Sequence, residues 1–315
     1  MDIPTSPPSL PRTPAPRLSS APEPVLEGRA LVLGGGGSAG NAWLIGVLAG
    51  LAEGGLDVTA ADLVVGTSAG ATTAAQVTAV PARHLLDQIL SAPLPSTSSR
   101  PGGGMRRPPV TDHLERTQRI IDGSTGIEDM RRRMGASAIE LSSASPGAGT
   151  RWRETVATRL PRPDWPDQRV LITAVDADSG EPVLFDRRSG VDLVDAVAAS
   201  CSSGFAYDIG THRYIDGGYR SNADNADLAS GYAKVLVLAP FGGASRTPSS
   251  WGTHLADQIA ALRATGSTVE TIFPDSASRT AFGENVMDPA TRVPAAQAGF
   301  AQGRAVAASL ASFWS

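Results

Sequence analysis

The chain has few cysteines, histidines and lysines, and each shortage excludes a class of protein or a kind of site. Cys201 is the only cysteine in 315 residues, so no disulfide can form within the chain, and a reducing compartment is expected. The four histidines are not spaced as metal ligands, so we expect neither a zinc site nor any other metal or cofactor. Lys234 is the single lysine among many arginines, a bias that we attribute to genome base composition.

Charge and hydropathy narrow the class further. The net charge is −4, so we expect no nucleic-acid partner. No apolar run is long enough to span a bilayer and the N-terminus lacks the apolar core of a secretory signal, so a cytoplasmic protein is expected. Residues 1–28 contain eight prolines with serines between them, which predicts a disordered tail. Residues 29–315 are then one domain, with a Ser-, Pro- and Gly-rich mobile loop at about 91–110 that is either a lid or disordered.

The beginning of this domain has the pattern of one βαβ unit. Residues 30–33 are an apolar strand, residues 34–40 are a glycine-rich loop, and apolar residues at helical spacing follow as far as Leu51. A second apolar strand covers residues 63–65. Because the strands of a βαβ unit are parallel, we expect the glycine loop and the residues after Val65 to lie at the same carboxyl edge of the sheet.

The residues after this second strand match Gly-x-Ser-x-Gly, the pattern of a nucleophile elbow. Gly66 and Gly70 stand two residues to either side of Ser68, where larger residues would clash with the tight turn. An alanine-rich helix is expected to follow. The turn would lift the Ser68 hydroxyl out of the sheet and place it at the helix N-terminus, where free N–H groups favour negative charge. Ser68 is therefore the candidate nucleophile.

The residues alone leave three interpretations of the glycine loop open. The Gly-x-Gly-x-x-Gly spacing of residues 35–40 fits a dinucleotide site, but the second strand lacks the acidic residue at its end that would bind a ribose. The loop could also be a strand-to-helix turn without any chemistry. In the third interpretation its backbone N–H groups form an oxyanion hole together with the elbow, the donors being Gly35, Gly36, Gly37 and Ala69. Only the third interpretation relates the loop to the elbow.

Over most of residues 29–313 the chain resembles the patatin-like phospholipases. The resemblance is carried by residues 34–40 with Gly40, by the elbow, by Tyr214-Ile215-Asp216-Gly217-Gly218, and by the flanking residues 199–201, 220–222 and 225–228. It implies a serine hydrolase that cleaves lipid acyl esters with a Ser-Asp dyad and no catalytic histidine. Ser68 would be the nucleophile, Asp216 the base and the glycine loop the oxyanion hole.

Asp216 is singled out by this resemblance alone. By its own chemistry, Asp216 followed by Gly217 and Gly218 is a turn signal more often than a base. An aspartate of ordinary pKa is a weak base at neutral pH, so a catalytic Asp216 must be partly desolvated to raise its pKa. With no histidine between them, Asp216 and Ser68 must also touch, and we expect a hydrogen bond between the two side chains.

Two departures from the family pattern keep other functions open. Relatives usually carry Arg or Lys where this chain has Ala39, and a proline usually follows the Ser-Cys pair where Ser202 stands here. A catalytically weak relative that binds acyl chains is therefore one alternative. The other is an α/β-hydrolase triad in the order Ser68, Asp216, His254.

The rest of the chain alternates between strand and helix patterns. We predict further strands at 170–175, 183–185, 235–238 and 268–273, helices at 83–90, 113–121, 126–141, 191–200, 254–263 and 293–313, and a loose stretch at 142–149. This alternation predicts a three-layer α/β/α domain with a mainly parallel sheet, and the resemblance implies that the fold is patatin-like. The low aromatic content, 5%, provides no interfacial belt. The expected partner is thus a lipid or small acyl ester, reached in solution or by transient contact with a membrane surface.

Overall fold

The computed structural model of the protein describes residues 27–92 and 110–315. The predicted disordered tail at 1–28 and the predicted mobile loop at about 91–110 lie almost entirely outside these residues, and both stay predictions. Where the description resumes, a helix begins at Val110. Across the two described ranges, none of the helices combines the length and the apolar composition that a membrane span requires.

One mixed sheet holds all eight strands of the described residues. The strands are β1 (Glu27–Leu33), β2 (Leu63–Gly66), β3 (Val170–Asp176), β4 (Pro182–Phe185), β5 (Tyr207–Ile209), β6 (His212–Asp216), β7 (Tyr232–Leu238) and β8 (Thr268–Ile272). Their order is β5-β6-β3-β2-β1-β7-β8, with β4 paired to β3. The five strands β3, β2, β1, β7 and β8 are parallel, whereas β4, β5 and β6 join in antiparallel fashion. The predicted mainly parallel sheet is confirmed.

Ten α-helices of the described residues surround this sheet. They are α1 (Gly37–Glu53), α2 (Ala69–Val77), α3 (Ala82–Ser91), α4 (Val110–Asp122), α5 (Ile127–Ser143), α6 (Ala148–Ala157), α7 (Leu193–Ser200), α8 (Leu255–Ala264), α9 (Ser276–Phe282) and α10 (Arg292–Trp314). Alternate residues of β1 point to opposite faces. Leu31 and Leu33 enter a large core shared with α1, α2, α7 and α10, while Ala30 and Val32 enter a smaller core under α8. This is the predicted three-layer α/β/α arrangement.

Some elements differ from the sequence prediction. The stretch predicted to be loose at 142–149 is helical at both ends, because α5 continues to Ser143 and α6 begins at Ala148, and only the four residues between them form a turn. Ser142 and Ser143 turn their hydroxyls back onto carbonyls one turn earlier, which lets polar residues continue a helix. The prediction also missed α6, α9 and the short strands β5 and β6.

The register on β3 explains why distant parts of the chain meet. Strand β4 occupies one edge of β3, opposite Ile172 and Ala174. A strand residue has only two edges, so β2 and β6 share the other edge. There Gly66, the last residue of β2, pairs with Ile172, and Asp216, the last residue of β6, pairs with Ala174. The two strand ends therefore point toward each other across Thr173.

Candidate active site

Ser68 lies on a strained turn between β2 and α2. Its backbone has φ 52° and ψ −114°, and among the described residues only one other non-glycine residue has a positive φ. Such backbone costs free energy and persists only where the surroundings hold it. Ser200 Oγ accepts the Ser68 N–H at 2.9 Å, and the Cys201 thiol donates to the Ser68 carbonyl oxygen at 3.1 Å. The end of α7 thus fixes the elbow from behind, a role that the sequence analysis had not given to either residue.

Asp216 is buried beside this elbow and in contact with it. Asp216 is 6% exposed, its carboxylate accepts a hydrogen bond from the Gly218 N–H at 2.8 Å, and it lies within hydrogen-bonding reach of the Ser68 side chain. Burial raises the pKa of Asp216 to about 6, and the two hydrogen bonds oppose part of that rise. The structure therefore brings together the two side chains predicted to form the dyad, and it gives the carboxylate a pKa closer to neutrality.

The glycine loop runs along the same edge of the sheet. A Cβ built on Gly35 would lie 3.6 Å from the Ser68 Cβ, so the loop passes directly beside the candidate nucleophile. The Gly35 N–H, however, donates to the Ala223 carbonyl at 2.8 Å. Because this bond already uses the Gly35 N–H, that group is not free to donate to an oxyanion as predicted.

The other three predicted donors have no hydrogen-bond acceptor among the described residues. Gly36 precedes α1, Gly37 opens it, and Ala69 opens α2, so none of these N–H groups has a carbonyl one turn earlier within its helix. In the described parts of the chain no other acceptor reaches them. Free N–H groups at two helix N-termini beside a hydroxyl are suited to bind an oxyanion.

A guanidinium from α10 supports the first turn of α1, on either side of Ala39 in the sequence. Ala39 is fully buried, and its N–H donates to the Val286 carbonyl at 2.9 Å. Arg292 of α10 donates to the Ser38 carbonyl at 3.2 Å and to Asn41 Oδ1 at 3.1 Å. Burial lowers the pKa of Arg292. The first turn of α1 is thus held by contacts from residues 286–292 although Ala39 itself carries no charge.

Asp224 is a second buried carboxyl at this edge, and no sequence pattern had indicated it. It is 1% exposed, and its Oδ1 has no hydrogen-bond partner among the residues that the structure describes. It packs so closely on the glycine loop that a Cβ on Gly34 would overlap Oδ1. Burial without a compensating cation raises the pKa of Asp224 to about 7.

We expect Asp224 to make the folded protein less stable as pH rises. Its pKa is about 7 when folded and about 3.9 when unfolded, so its contribution is complete below pH 4 and is lost between pH 4 and pH 7. From pH 5 to pH 8 this amounts to about 3 kcal/mol of unfolding free energy. Asp224→Asn should remove this pH dependence, so that the unfolding free energies measured by urea denaturation at pH 5 and pH 8 differ by about 3 kcal/mol less than in wild type. An unchanged slope in the variant would show that Asp224 is ionised in the folded protein at pH 5.

His254 does not join the dyad. It caps the N-terminus of α8, where its Nε2 donates to the Thr247 carbonyl at 2.8 Å and its backbone N–H donates to Asp257. In the described part of the chain it forms no hydrogen bond with Asp216 or Ser68. The same residues contain no group of three or more histidine, cysteine or acidic side chains that could hold a metal ion.

Comparison with known protein families agrees with this arrangement. The model of the family described as patatin-like phospholipase matches residues 31–229, which is more than half of the chain. The chain belongs to this family. The family as a whole is one of lipid acyl hydrolases. The matched range begins in β1 and includes the glycine loop, the elbow and the Asp216 turn.

The similarity of this chain to individual known proteins is low. No curated protein matches the chain. Among solved structures, the type III effector protein ExoU is 18% identical over 90% of this chain and 54% of ExoU, with a TM-score of 0.32. VipD from Legionella pneumophila is 13% identical over 92% of this chain and 68% of VipD, with a TM-score of 0.39. The chain thus spans about half the length of ExoU, and the family assignment rests on the family model alone.

Proposed function

We propose that this patatin-like phospholipase is a serine acyl hydrolase of the phospholipase A or esterase type, with Ser68 and Asp216 as its dyad. The substrate is a lipid or small acyl ester, reached in solution or by transient contact with a membrane surface. The observation that supports the proposal most is that the strained Ser68 lies within hydrogen-bonding reach of the buried Asp216 carboxylate. Such a contact allows proton transfer without a histidine.

The reaction proceeds through an acyl-enzyme. Asp216 accepts the Ser68 proton while Oγ forms a bond to the substrate carbonyl carbon, and the carbonyl oxygen becomes an oxyanion. The free N–H groups of Gly36, Gly37 and Ala69 donate to that oxyanion, each contributing about 3 kcal/mol to transition-state stabilisation. Asp216 then returns the proton to the leaving alcohol. In the second half a water gives its proton to Asp216 and attacks the acyl carbon, and Ser68 regains its proton as the carboxylic acid leaves.

The pKa of Asp216 predicts a lower limb in the pH dependence of kcat/KM. Only the ionised carboxylate can accept the serine proton, so activity should rise with pH through about 6 and be about tenfold lower at pH 5 than on the plateau. Burial raises the pKa of the neighbouring Cys201 thiol to about 12 and that of the Tyr219 phenol still further, so both are neutral in this range. Initial rates with a soluble ester from pH 4.5 to 8 would measure the limb. Activity independent of pH below 6 would contradict the assignment of Asp216 as the base.

Covalent labelling tests the proposal directly. An organophosphonate probe should attach to Ser68, as located by peptide mass spectrometry, and p-nitrophenyl esters of graded chain length should be hydrolysed and report the preferred acyl length. A folded wild-type protein that neither reacts with the probe nor turns over any ester would support the acyl-chain-binding alternative. His254→Ala separates the dyad from the triad, because activity survives the substitution in the first case and collapses in the second.

A further inference from the structure

The side chain of Asn225 connects the two halves of the proposed dyad. It is fully buried, and its amide Nδ2 donates to Thr67 Oγ1 and to the Gly217 carbonyl oxygen, both at 3.0 Å. Thr67 is the residue before Ser68, and Gly217 is the residue after Asp216. One planar amide group therefore sets the spacing between the backbone on either side of the reacting atoms.

The amide is itself held in place from two sides. Arg220 donates to Asn225 Oδ1 at 3.0 Å. The same guanidinium forms a bidentate ion pair with the Asp227 carboxylate, with N–O distances of 2.9 and 2.7 Å. On the sheet side, Thr173 donates to the same Thr67 hydroxyl at 3.0 Å. A buried network in which each polar group is paired is rigid, because a broken bond leaves a desolvated group without a partner.

The backbone of Asn225 is as unusual as its side chain. Its φ is 54°, and Ser68 is the only other non-glycine residue of the described chain with a positive φ. Asparagine adopts this left-handed conformation more readily than most residues, yet it still costs free energy. Strained backbone of this kind is concentrated at functional sites. Both examples here lie at the same site, because Asn225 bonds to Thr67, the residue before Ser68.

We infer that Asn225 is a positioning residue that fixes the distance between the Ser68 hydroxyl and the Asp216 carboxylate, an inference that rests on the proposed function. Strands β2 and β6 end opposite each other on β3, and each is paired to β3 but not to the other, so no ladder hydrogen bond joins the two ends directly. The Asn225 amide spans that gap. Without it, Thr67 and Gly217 can separate, and the hydrogen bond from Ser68 to Asp216 lengthens.

A weaker hydrogen bond from Ser68 to Asp216 changes the pH dependence of activity, whereas a loss of stability alone does not. The Ser68 hydrogen bond lowers the pKa of Asp216, so weakening it allows burial to raise that pKa further. The lower limb of kcat/KM should therefore move to higher pH. Because misplacement of the nucleophile by about 1 Å can cost on the order of 100-fold in rate, kcat should fall while KM changes little.

Asn225→Gly tests the inference with Asn41→Ala as its matched control. Glycine tolerates a φ of 54° and adds no charge, so the substitution removes only the side-chain bonds. Asn41 is also a buried asparagine, bonded through Nδ2 to Thr73 and Gln76 and through Oδ1 to Arg292, but it connects α1 to α2. We expect Asn225→Gly to lower kcat up to about 100-fold and to shift the limb upward. Asn41→Ala should lose stability without shifting the limb.

Each other outcome is also decisive. A folded Asn225→Gly protein with the kcat and pH limb of wild type would overturn the inference, as would an equal limb shift in both variants. If Asn225→Gly fails to fold, Thr67→Val removes the bridging hydroxyl while keeping the side-chain shape, and the same upward shift is expected from it. An unshifted limb in folded Thr67→Val would then refute the positioning role. An inactive wild-type protein would count against the proposed function itself, so the two failures are distinguishable.

Discussion

The Ser68→Ala variant should hydrolyse acyl esters at least about 10⁴-fold more slowly than wild type while remaining folded. Alanine keeps the Cβ and the backbone groups of the elbow, so the bonds to Ser200 and Cys201 survive. The substitution therefore removes the nucleophile and little else. Activity left in this variant would come from the oxyanion donors and from binding alone.

The same loss is expected for Asp216→Asn, because an amide keeps the shape of the carboxylate but cannot accept the serine proton at neutral pH. Asp208→Asn is the matched control, since Asp208 lies on the adjacent strand β5 and is exposed. Values of kcat/KM with one p-nitrophenyl ester, together with circular dichroism, would compare all three variants. Substantial turnover by Ser68→Ala would place the nucleophile elsewhere and remove the mechanism.

The elbow could be predicted from the sequence because everything that forms it is local. Leu63 to Val77 contain the strand, the glycine pair around Ser68 and the helix, and the observed β2 and α2 follow that pattern closely. The parallel pairing of β1 with β2 follows from the short helical connection between them. Local composition and short connections thus place both the candidate nucleophile and the glycine loop.

The far side of the site depends on long-range register, which residue patterns do not contain. The sequence suggested only a turn around Asp216, whereas the structure has strand β6 ending there, paired with β3. The bond from Gly35 to Ala223 and the bond from Asn225 to Thr67 join residues far apart in the chain, so no spacing rule could have indicated them. The fold class and the two candidate catalytic residues could therefore be predicted, but not the network that sets their distance.

Replacing Gly70 by alanine should be the most damaging single-methyl change at this site. Gly70 is the second residue of α2, and a Cβ there would overlap the Leu33 carbonyl at the end of β1 and lie 2.9 Å from the Gly34 carbonyl oxygen. Both neighbours are backbone atoms of the sheet and the glycine loop, so they cannot rotate away as a side chain would. The helix must move instead, and we expect a loss of about 3 kcal/mol of unfolding free energy.

Gly149→Ala is the matched control for this variant. Gly149 is likewise the second residue of a helix and likewise follows an alanine, but the nearest atom to its Cβ would be Tyr207 Cδ2 at an ordinary 3.9 Å. The control should be neutral or more stable by up to about 1 kcal/mol, because alanine favours helices. Urea denaturation measures the stability of both variants, and rates of ester hydrolysis measure their activity.

Displacement of α2 by Gly70→Ala should also reduce activity, because the helix carries both the elbow and the Ala69 N–H group. A shift of about 1 Å relative to the glycine loop would separate donors that must reach one oxyanion, at a cost on the order of 100-fold in kcat. Should Gly70→Ala match Gly149→Ala in stability and in rate, the close contact between the elbow and the glycine loop would not exist in solution. The proposed oxyanion hole requires that contact, because its donors come from both segments.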